Sequence, residues 1–144
     1  MAEKQYEALK LENQLCFPLY ACAREVVKKY KPFLDNINLT YTQYVTMMVL
    51  WEKPEVTSKE IGERLHLDSG TLTPVIKKLA EKGLVTRARS AEDERNLVVA
   101  LTDAGLALRD RAACIPGQMG KCICLSPEDA QALYRILYQL LDNM

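Results

Sequence analysis

Residues 68–102 read DSGTLTPVIKKLAEKGLVTRARSAEDERNLVVALT, in the order helix, glycine stop, strand, charged turn, strand. Asp68 and Ser69 are helix-capping residues, whose side-chain oxygens satisfy the backbone N–H groups left open at a helix start. Pro74 follows early enough that its missing N–H is expected to cost little. Leu72, Val75, Ile76 and Leu79 recur at helical spacing and are expected to face a core, with Thr71, Thr73, Lys77 and Lys78 turned away from it. Gly83 then stops the helix. The β-prone runs 84–86 and 97–101 flank a polar turn at 87–96, which predicts a hairpin whose tip carries both signs of charge.

Just upstream, TSKEIGERL at 57–65 predicts a short helix with Thr57 as cap and Glu60 completing a capping box. A second helix set behind a short first one can present its N-terminal turn to a DNA major groove. A projecting hairpin can carry an arginine into the neighbouring minor groove. The pattern is a winged helix-turn-helix, in a fold that is mainly α with a small β-hairpin wing.

The flanking segments are helical by their periodicity. Residues 9–30 carry an apolar face through Leu11, Leu15, Leu19, Cys22, Ala23, Val26, Val27 and Tyr30, with a bend or turn expected at Pro18. Residues 31–38, with Pro32 and an Asp-Asn pair, predict a loop. Thr40 then caps a helix from Tyr41 to about Glu52, in which Tyr44, Val45, Met48, Val49 and Trp51 are expected to bury. A short strand near 53–56 would add a third strand to the hairpin. Thr102 caps a further helix that Pro116 and Gly117 interrupt or end, and a last helix starts at Ser126 with Pro127 in its first position. In that helix Leu133, Ile136, Leu137, Leu140 and Leu141 form one stripe. Together with the apolar first helix, the stripe reads as a dimer interface, which would set two reading heads on successive major-groove faces of a palindrome. The organisation expected is a single domain over 1–144, with dimerisation helices at about 9–35 and 103–144 around a winged helix-turn-helix at about 41–102.

Composition is consistent with this. The 144 residues are 49% hydrophobic, ample for a core, and net charge is zero with 19 basic and 19 acidic side chains. That balance counts against indiscriminate nucleic-acid binding, so distribution decides. Between Asp68 and Arg89 stand Lys77, Lys78, Lys82, Arg87 and Arg89 against Asp68 and Glu81. The basic excess therefore sits on the proposed reading head. The plainer reading of these lysines is a solvated helix face; the adjoining hairpin arginines favour DNA. Apolar runs are too short for a bilayer span, and the N-terminal region, with Glu3, Glu7 and Glu12, does not resemble a signal peptide. A cytoplasmic protein without membrane partners is expected. The five cysteines, at 16, 22, 114, 122 and 124, are odd in number and do not suggest a disulfide framework. C-x-C at 122–124 lacks the usual zinc spacing and His66 is the one histidine, so neither metal nor cofactor is expected.

LENQLCF at 11–17, YKPFL at 30–34, LTYTQY at 39–44, LDSGTLTP at 67–74 and DER at 93–95 carry a resemblance to a known family. The chain resembles the multiple-antibiotic-resistance regulator (MarR) family, and specifically its organic hydroperoxide resistance regulator (OhrR) branch, over nearly its whole length. The DER turn belongs to the broad family; LCF with LTY and LDSGTLTP belongs to the thiol-sensing branch. The resemblance implies a homodimeric winged-helix repressor that leaves its operator when one N-terminal cysteine is oxidised by peroxide. By position, Cys16 matches the peroxidatic cysteine, and Tyr30 and Tyr41 match tyrosines whose hydroxyls reach its thiolate from the partner subunit. The chemistry is sensible in its own right: a thiolate attacks a peroxide O–O bond, and phenol donors favour the charged form. Without the resemblance Cys16 would read as a small buried hydrophobe. The sulfenic acid formed needs a resolving thiol. Cys122 and Cys124 are the candidate resolving cysteines, with Cys122 slightly ahead, Cys114 third and Cys22 assigned to the core; a low-molecular-weight thiol is the other resolving agent.

For the DNA side, Ser69, Thr71, Thr73 and Lys77 are the candidates on the recognition helix. Arg95 is expected to enter the minor groove with Asp93 orienting it, and Lys78, Arg87 and Arg89 to contact phosphates. The plainer reading of Asp93 and Arg95 is a surface ion pair. The partners expected are thus a pseudo-palindromic double-stranded operator, a second copy of the chain, and an organic hydroperoxide or another oxidant. Three rival readings stand beside this one: a regulator of the same fold that binds a phenolic or apolar ligand between the dimerisation helices and the winged domain, a thiol peroxidase, and a pure protein-interaction module.

Overall fold

In the computed structural model, which describes residues 2–92 and 95–144, the chain forms two compact units, 1–113 and 114–144. The first contains α1 (Ala2–Gln5), two 3₁₀ turns (Glu7–Leu9 and Leu11–Asn13), α2 (Cys16–Asp35), α3 (Tyr41–Glu52), β1 (Glu55–Thr57), α4 (Ser58–Leu65), α5 (Ser69–Glu81), β2 (Val85–Arg89), β3 (Leu97–Leu101) and α6 (Asp103–Ala112). The second contains α7 (Ile115–Cys122) and α8 (Pro127–Asp142).

The strands make one antiparallel sheet in the order β1-β3-β2, with Val99 opposite Val56 on one side and Arg87 on the other. The strand near 53–56 therefore forms, one residue further on than expected. Val56, Val85 and Val99 are buried together with Met47 and Leu50 of α3, Ile61 of α4, and Leu72, Ile76 and Leu79 of α5. Each such side chain contributes about 1.5–3 kcal/mol by leaving water. Caps set the element ends. Thr40 and Gln43 form a reciprocal capping box on α3, and the Thr102 hydroxyl accepts the Gly105 N–H at 3.1 Å to start α6. Ser126 caps α8 through the Asp129 N–H at 3.1 Å.

Several expectations are corrected. The first long helix does not run from residue 9 through Pro18. It starts at Cys16, which places Pro18 in the first turn, where no N–H is required, so the proline neither bends nor breaks it. Its end lies inside the expected loop at 31–38, because the helix passes Pro32 and stops at Asp35. Pro32 and Lys28, whose carbonyl loses its partner, are both exposed, so water can serve that oxygen. The stop is Asn38 in the left-handed conformation, with the Leu39 N–H bonded to the Leu34 carbonyl at 3.1 Å. Pro74, likewise, is the sixth residue of α5 and lies inside the helix, on its exposed side.

In α3, Tyr44 and Val49 are buried as expected, Val45 and Trp51 are partly so, and Met48 is exposed while Met47 and Leu50 are buried. YTQYVTMMVLWE is apolar on nearly every side, so periodicity could not choose the inward face. Thr57 caps α4 by accepting the Glu60 N–H at 3.1 Å, but the Glu60 carboxylate turns to Lys53 at 3.3 Å, and the reciprocal half of the box is replaced by that ion pair. Arg87 and Arg89 belong to β2 and not to the turn, since pairing with β3 carries the strand out to the Arg89–Leu97 pair. Cys22, assigned to the core, is exposed on α2.

The tightest crossing in the first unit involves Gly105. A Cβ there would stand 2.1 Å from the Leu84 carbonyl oxygen and 2.9 Å from Leu101 Cδ2, and the Gly105 carbonyl accepts the Trp51 indole N–H at 2.9 Å. Gly105→Ala is expected to destabilise the fold by about 3 kcal/mol or more, since backbone and not a side-chain tip must move. Urea unfolding followed by Trp51 fluorescence measures this, with Ala104→Gly as the neighbouring control.

Candidate functional site

Two groups of side chains stand out, one around the helix pair α4 and α5, the other at the corner of α2 and α3. The helix pair is joined by a tight turn. Gly62 lies so close to the Leu67 carbonyl that a Cβ would come within 2.8 Å of its oxygen. His66 takes the left-handed conformation (φ 55°), and the Leu67 N–H returns to the Gly62 carbonyl at 3.0 Å. Asp68 then caps α5 by accepting the Thr71 N–H at 2.7 Å. That bond, reinforced by the Thr71 hydroxyl, holds the Asp68 carboxyl below its ordinary range.

Between α4, the start of α5 and the hairpin lies a groove of about 720 Å³. Ser69 and Thr73 line it from α5, Ser58, Lys59, Glu63 and His66 from α4 and its turn, and Arg95 and Asn96 from the hairpin. Of the residues expected to read DNA, the structure thus brings Ser69, Thr73 and Arg95 to one groove. Thr71, Lys77 and Lys78 are exposed on α5 but do not line it, and Lys78 pairs loosely with Glu81 at 3.7 Å. Thr73 donates its hydroxyl to the Ser69 carbonyl at 2.7 Å, which leaves its oxygen lone pairs for an incoming donor. Arg87 and Arg89 alternate with Ala88 on the outer strand β2, so both guanidinium groups leave the same face. Asp93 lies outside the described residues. Sequence reasoning missed Lys59, His66 and Asn96 as groove residues. A basic side chain in the first turn of α4 was the available signal for Lys59; His66 and Asn96 enter through turn conformations that periodicity does not reveal.

At the other corner, Tyr30 and Tyr41 have ring centroids 4.9 Å apart, with Tyr44 at 5.8 Å and 6.3 Å from them. Burial pushes both the Tyr30 and the Tyr41 phenols above their ordinary pKa, and the neighbouring Tyr30 adds to the effect on Tyr41. Both hydroxyls therefore keep their protons at neutral pH and remain donors. The structure brings the two tyrosines together but does not bring Cys16 to them. Cys16 is the first residue of α2, exposed, and 14 residues from Tyr30 along the same helix, a rise of about 21 Å. Cys122 and Cys124 are exposed in the second unit, with the Cys122 thiol donating to the Gln118 carbonyl at 3.5 Å. Among the described residues no cluster of three or more potential metal ligands occurs.

Two helices joined by a tight turn, with a hairpin sharing their groove, define a winged helix-turn-helix protein. Comparison with known proteins gives the particular family. The model of the transcriptional regulator SarA/Rot family matches residues 28–111. The organic hydroperoxide resistance transcriptional regulator of Bacillus subtilis is 48% identical over 142 residues, which cover 99% of this chain and 97% of that one. Among solved structures, reduced AbfR bound to DNA superposes with a TM-score of 0.79 at 33% identity, covering 98% of each chain. Disulfide-formed AbfR gives 0.66 at 34% identity, covering 98% of this chain and 99% of that one; AbfR comes from Staphylococcus epidermidis. The chain belongs to the MarR family of transcriptional regulators, in its organic hydroperoxide resistance regulator branch.

Because the Asp68 carboxyl is held below its ordinary range in the folded state, its contribution is complete above that range and is lost as pH falls through the depressed value. Asp68→Ala is therefore expected to lower Tm by a constant amount from neutral pH down to the ordinary carboxylate range. The gap from wild type should then close at lower pH, as read by circular dichroism at a series of pH values. A gap that widened on acidification would contradict the assignment.

Proposed function

We propose that this chain is a peroxide-sensing, DNA-binding transcriptional repressor that works as a homodimer. Reduced, it holds a pseudo-palindromic operator with the α5 and hairpin groups of two subunits; oxidised at Cys16, it lets go. The observation that carries this reading is the separation just described. Two half-buried phenol donors meet toward one end of α2 and the exposed Cys16 stands at the other, so this chain's Cys16 does not reach its own tyrosines, and a Cys16 from a second chain fits the arrangement. The relatives add the chemistry: AbfR has been solved reduced on DNA, overoxidised on DNA and in a disulfide form. The apolar side chains exposed along α2 and α8, among them Leu15, Leu19, Val27, Leu133, Ile136 and Leu140, fit burial against a second copy. In this reading residues 9–35 and 103–144 dimerise and 41–102 read DNA.

The Cys16 thiolate attacks one peroxide oxygen, the O–O bond breaks, and the alkoxide leaves as an alcohol after taking a proton. Cys16 becomes a sulfenic acid. Cys122, Cys124 or a small thiol then displaces water to give a disulfide. Tyr30 and Tyr41 serve as donors to the anionic sulfur. Either product shifts the dimerisation helices and draws the reading heads off half-site spacing, against a specific margin of roughly 4–10 kcal/mol. Ser69, Thr71, Thr73 and Lys77 would meet base edges, Arg95 with Asp93 the minor groove, and Lys78, Arg87 and Arg89 the phosphates. The relatives are transcriptional regulators. We assign this chain no catalytic turnover, and Cys16 is consumed once per oxidation. No helix among the described residues is long and apolar enough to cross a membrane, and the cytoplasm, where an operator is met, is the proposed location.

A second reading rests on a cavity of about 270 Å³ beside Tyr41, walled by Val27, Leu34 and Leu39 and edged by Lys28 and Lys31. It has room for a small phenolic or apolar ligand, which would make the chain a small-molecule-responsive repressor of the same fold.

Cys16→Ser is expected to keep operator binding and to lose release by cumene hydroperoxide, measured by fluorescence anisotropy of a labelled duplex. Release of this variant as readily as wild type would move the argument to the ligand reading. Tyr41→Phe keeps the ring and removes one donor, worth about 1.5–3 kcal/mol toward a charged acceptor. The rate of Cys16 oxidation should accordingly fall about 10- to 100-fold, read by stopped-flow loss of free thiol, with reduced-state operator affinity unchanged. Replacing both Arg87 and Arg89 by alanine should flatten the slope of log affinity against log salt by about 2.

A further inference from the structure

The far end of the reading helix is tied to the tyrosine corner by one side chain. Lys82, which follows α5, donates from Nζ to the Asn38 carbonyl at 2.5 Å and to Gln43 Oε1 at 2.9 Å. Asn38 is the left-handed residue that ends α2, and Gln43 is the third residue of α3, 6% exposed. The same Gln43 oxygen accepts the Thr40 N–H at 3.1 Å, so a single atom serves both the cap of α3 and the lysine. Thr40 adjoins Tyr41, whose ring lies against Tyr30. One ammonium thus joins the end of α2, the start of α3 and the end of α5. Among the described residues the two lysines within α5 show no such tie, and Lys78 pairs with Glu81.

We propose that Lys82 is a positioning residue of the redox switch, carrying a displacement of the Tyr30–Tyr41 corner to the reading helix. The proposal rests on the peroxide-release reading above. Its physical basis is the difference between the two kinds of contact available. α3 and α5 also pack through apolar side chains, and such contacts are non-directional and tolerate sliding. A charged donor shared by two fixed oxygens is directional and resists separation. The ammonium has given up part of its hydration for these two oxygens, in keeping with a pKa drawn down first by burial and then by the neighbouring Lys78. Coupling between sites requires an element whose arrangement both sites bias, and in this proposal that element is the corner held by Lys82.

Lys82→Met keeps the apolar stem and removes the donors. With purified dimer and a labelled operator duplex, the ratio of oxidised to reduced Kd is compared after one equivalent of cumene hydroperoxide. In Lys82→Met this ratio is expected to fall about tenfold below the wild-type ratio, in the range typical of coupling between sites. The rate of Cys16 oxidation should stay unchanged, and Lys82→Arg, which keeps charge and donors, should restore most of the ratio. A merely structural lysine would alter Tm and both affinities together and leave the ratio alone. Wild type released on oxidation with Lys82→Met released to the same degree overturns the lysine proposal and leaves the function reading standing. A wild type that peroxide does not release overturns both. Should Lys82→Met melt below the assay temperature, Lys82→Gln gives the same test, with a wild-type ratio again decisive against the proposal.

Discussion

The first unit depends on one crossing of the chain, where the turn after α5 meets the start of α6. Gly83, at φ 75°, ends α5, with the Leu84 N–H returning to the Leu79 carbonyl at 3.1 Å. The Thr102 hydroxyl then donates to the Gly83 carbonyl at 2.7 Å, the Thr102 N–H donates to Leu84, and Gly105 lies against the same Leu84 carbonyl. In this small space the reading helix, both hairpin strands and α6 are fixed together. Only a left-handed residue at 83 and an absent side chain at 105 allow it. Trp51, bonded to the Gly105 carbonyl, brings α3 to the same point, and the tyrosine cluster follows, since Tyr44 packs edge-on to Trp51 with centroids 6.4 Å apart.

That connection bears on how a regulator of this kind separates chemistry from DNA binding. None of the five cysteines lies between residues 41 and 102, which hold α4, α5 and the hairpin. The tyrosine corner lies where α2 meets the start of α3, at the edge of that segment, and its phenols are partly withdrawn from water, which keeps them protonated. Cys16 at the start of the 20-residue α2 and Tyr30 toward its other end do not meet inside one chain.

Much of the fold was legible because its boundaries are written in local chemistry. Asp68, Thr40, Thr57, Thr102 and Ser126 each satisfy an open helix start within a few residues, and Gly83 ends a helix by its own freedom to adopt positive φ. Cys16, Tyr30 and Tyr41 were singled out only through resemblance, since nothing in the spacing of 16, 30 and 41 distinguishes them from core positions. Prolines misled where their position within a turn mattered. Pro18 falls where no N–H is needed, and Pro32 falls where the orphaned carbonyl is exposed. α3 misled because a helix apolar on every side carries no inward direction.

By itself the sequence determined the order of the main elements and the capped starts of α3, α4, α5, α6 and α8, because caps, glycines and apolar periodicity act over distances of three or four residues. Tertiary structure alone decided that Arg87 and Arg89 stand on a strand, that Lys59, His66 and Arg95 share a groove with Ser69, and that Lys82 reaches back 44 residues to Asn38. Those relations arise where strands pair and helices cross. The energies involved come from surfaces brought together by the whole chain, and no local pattern records them.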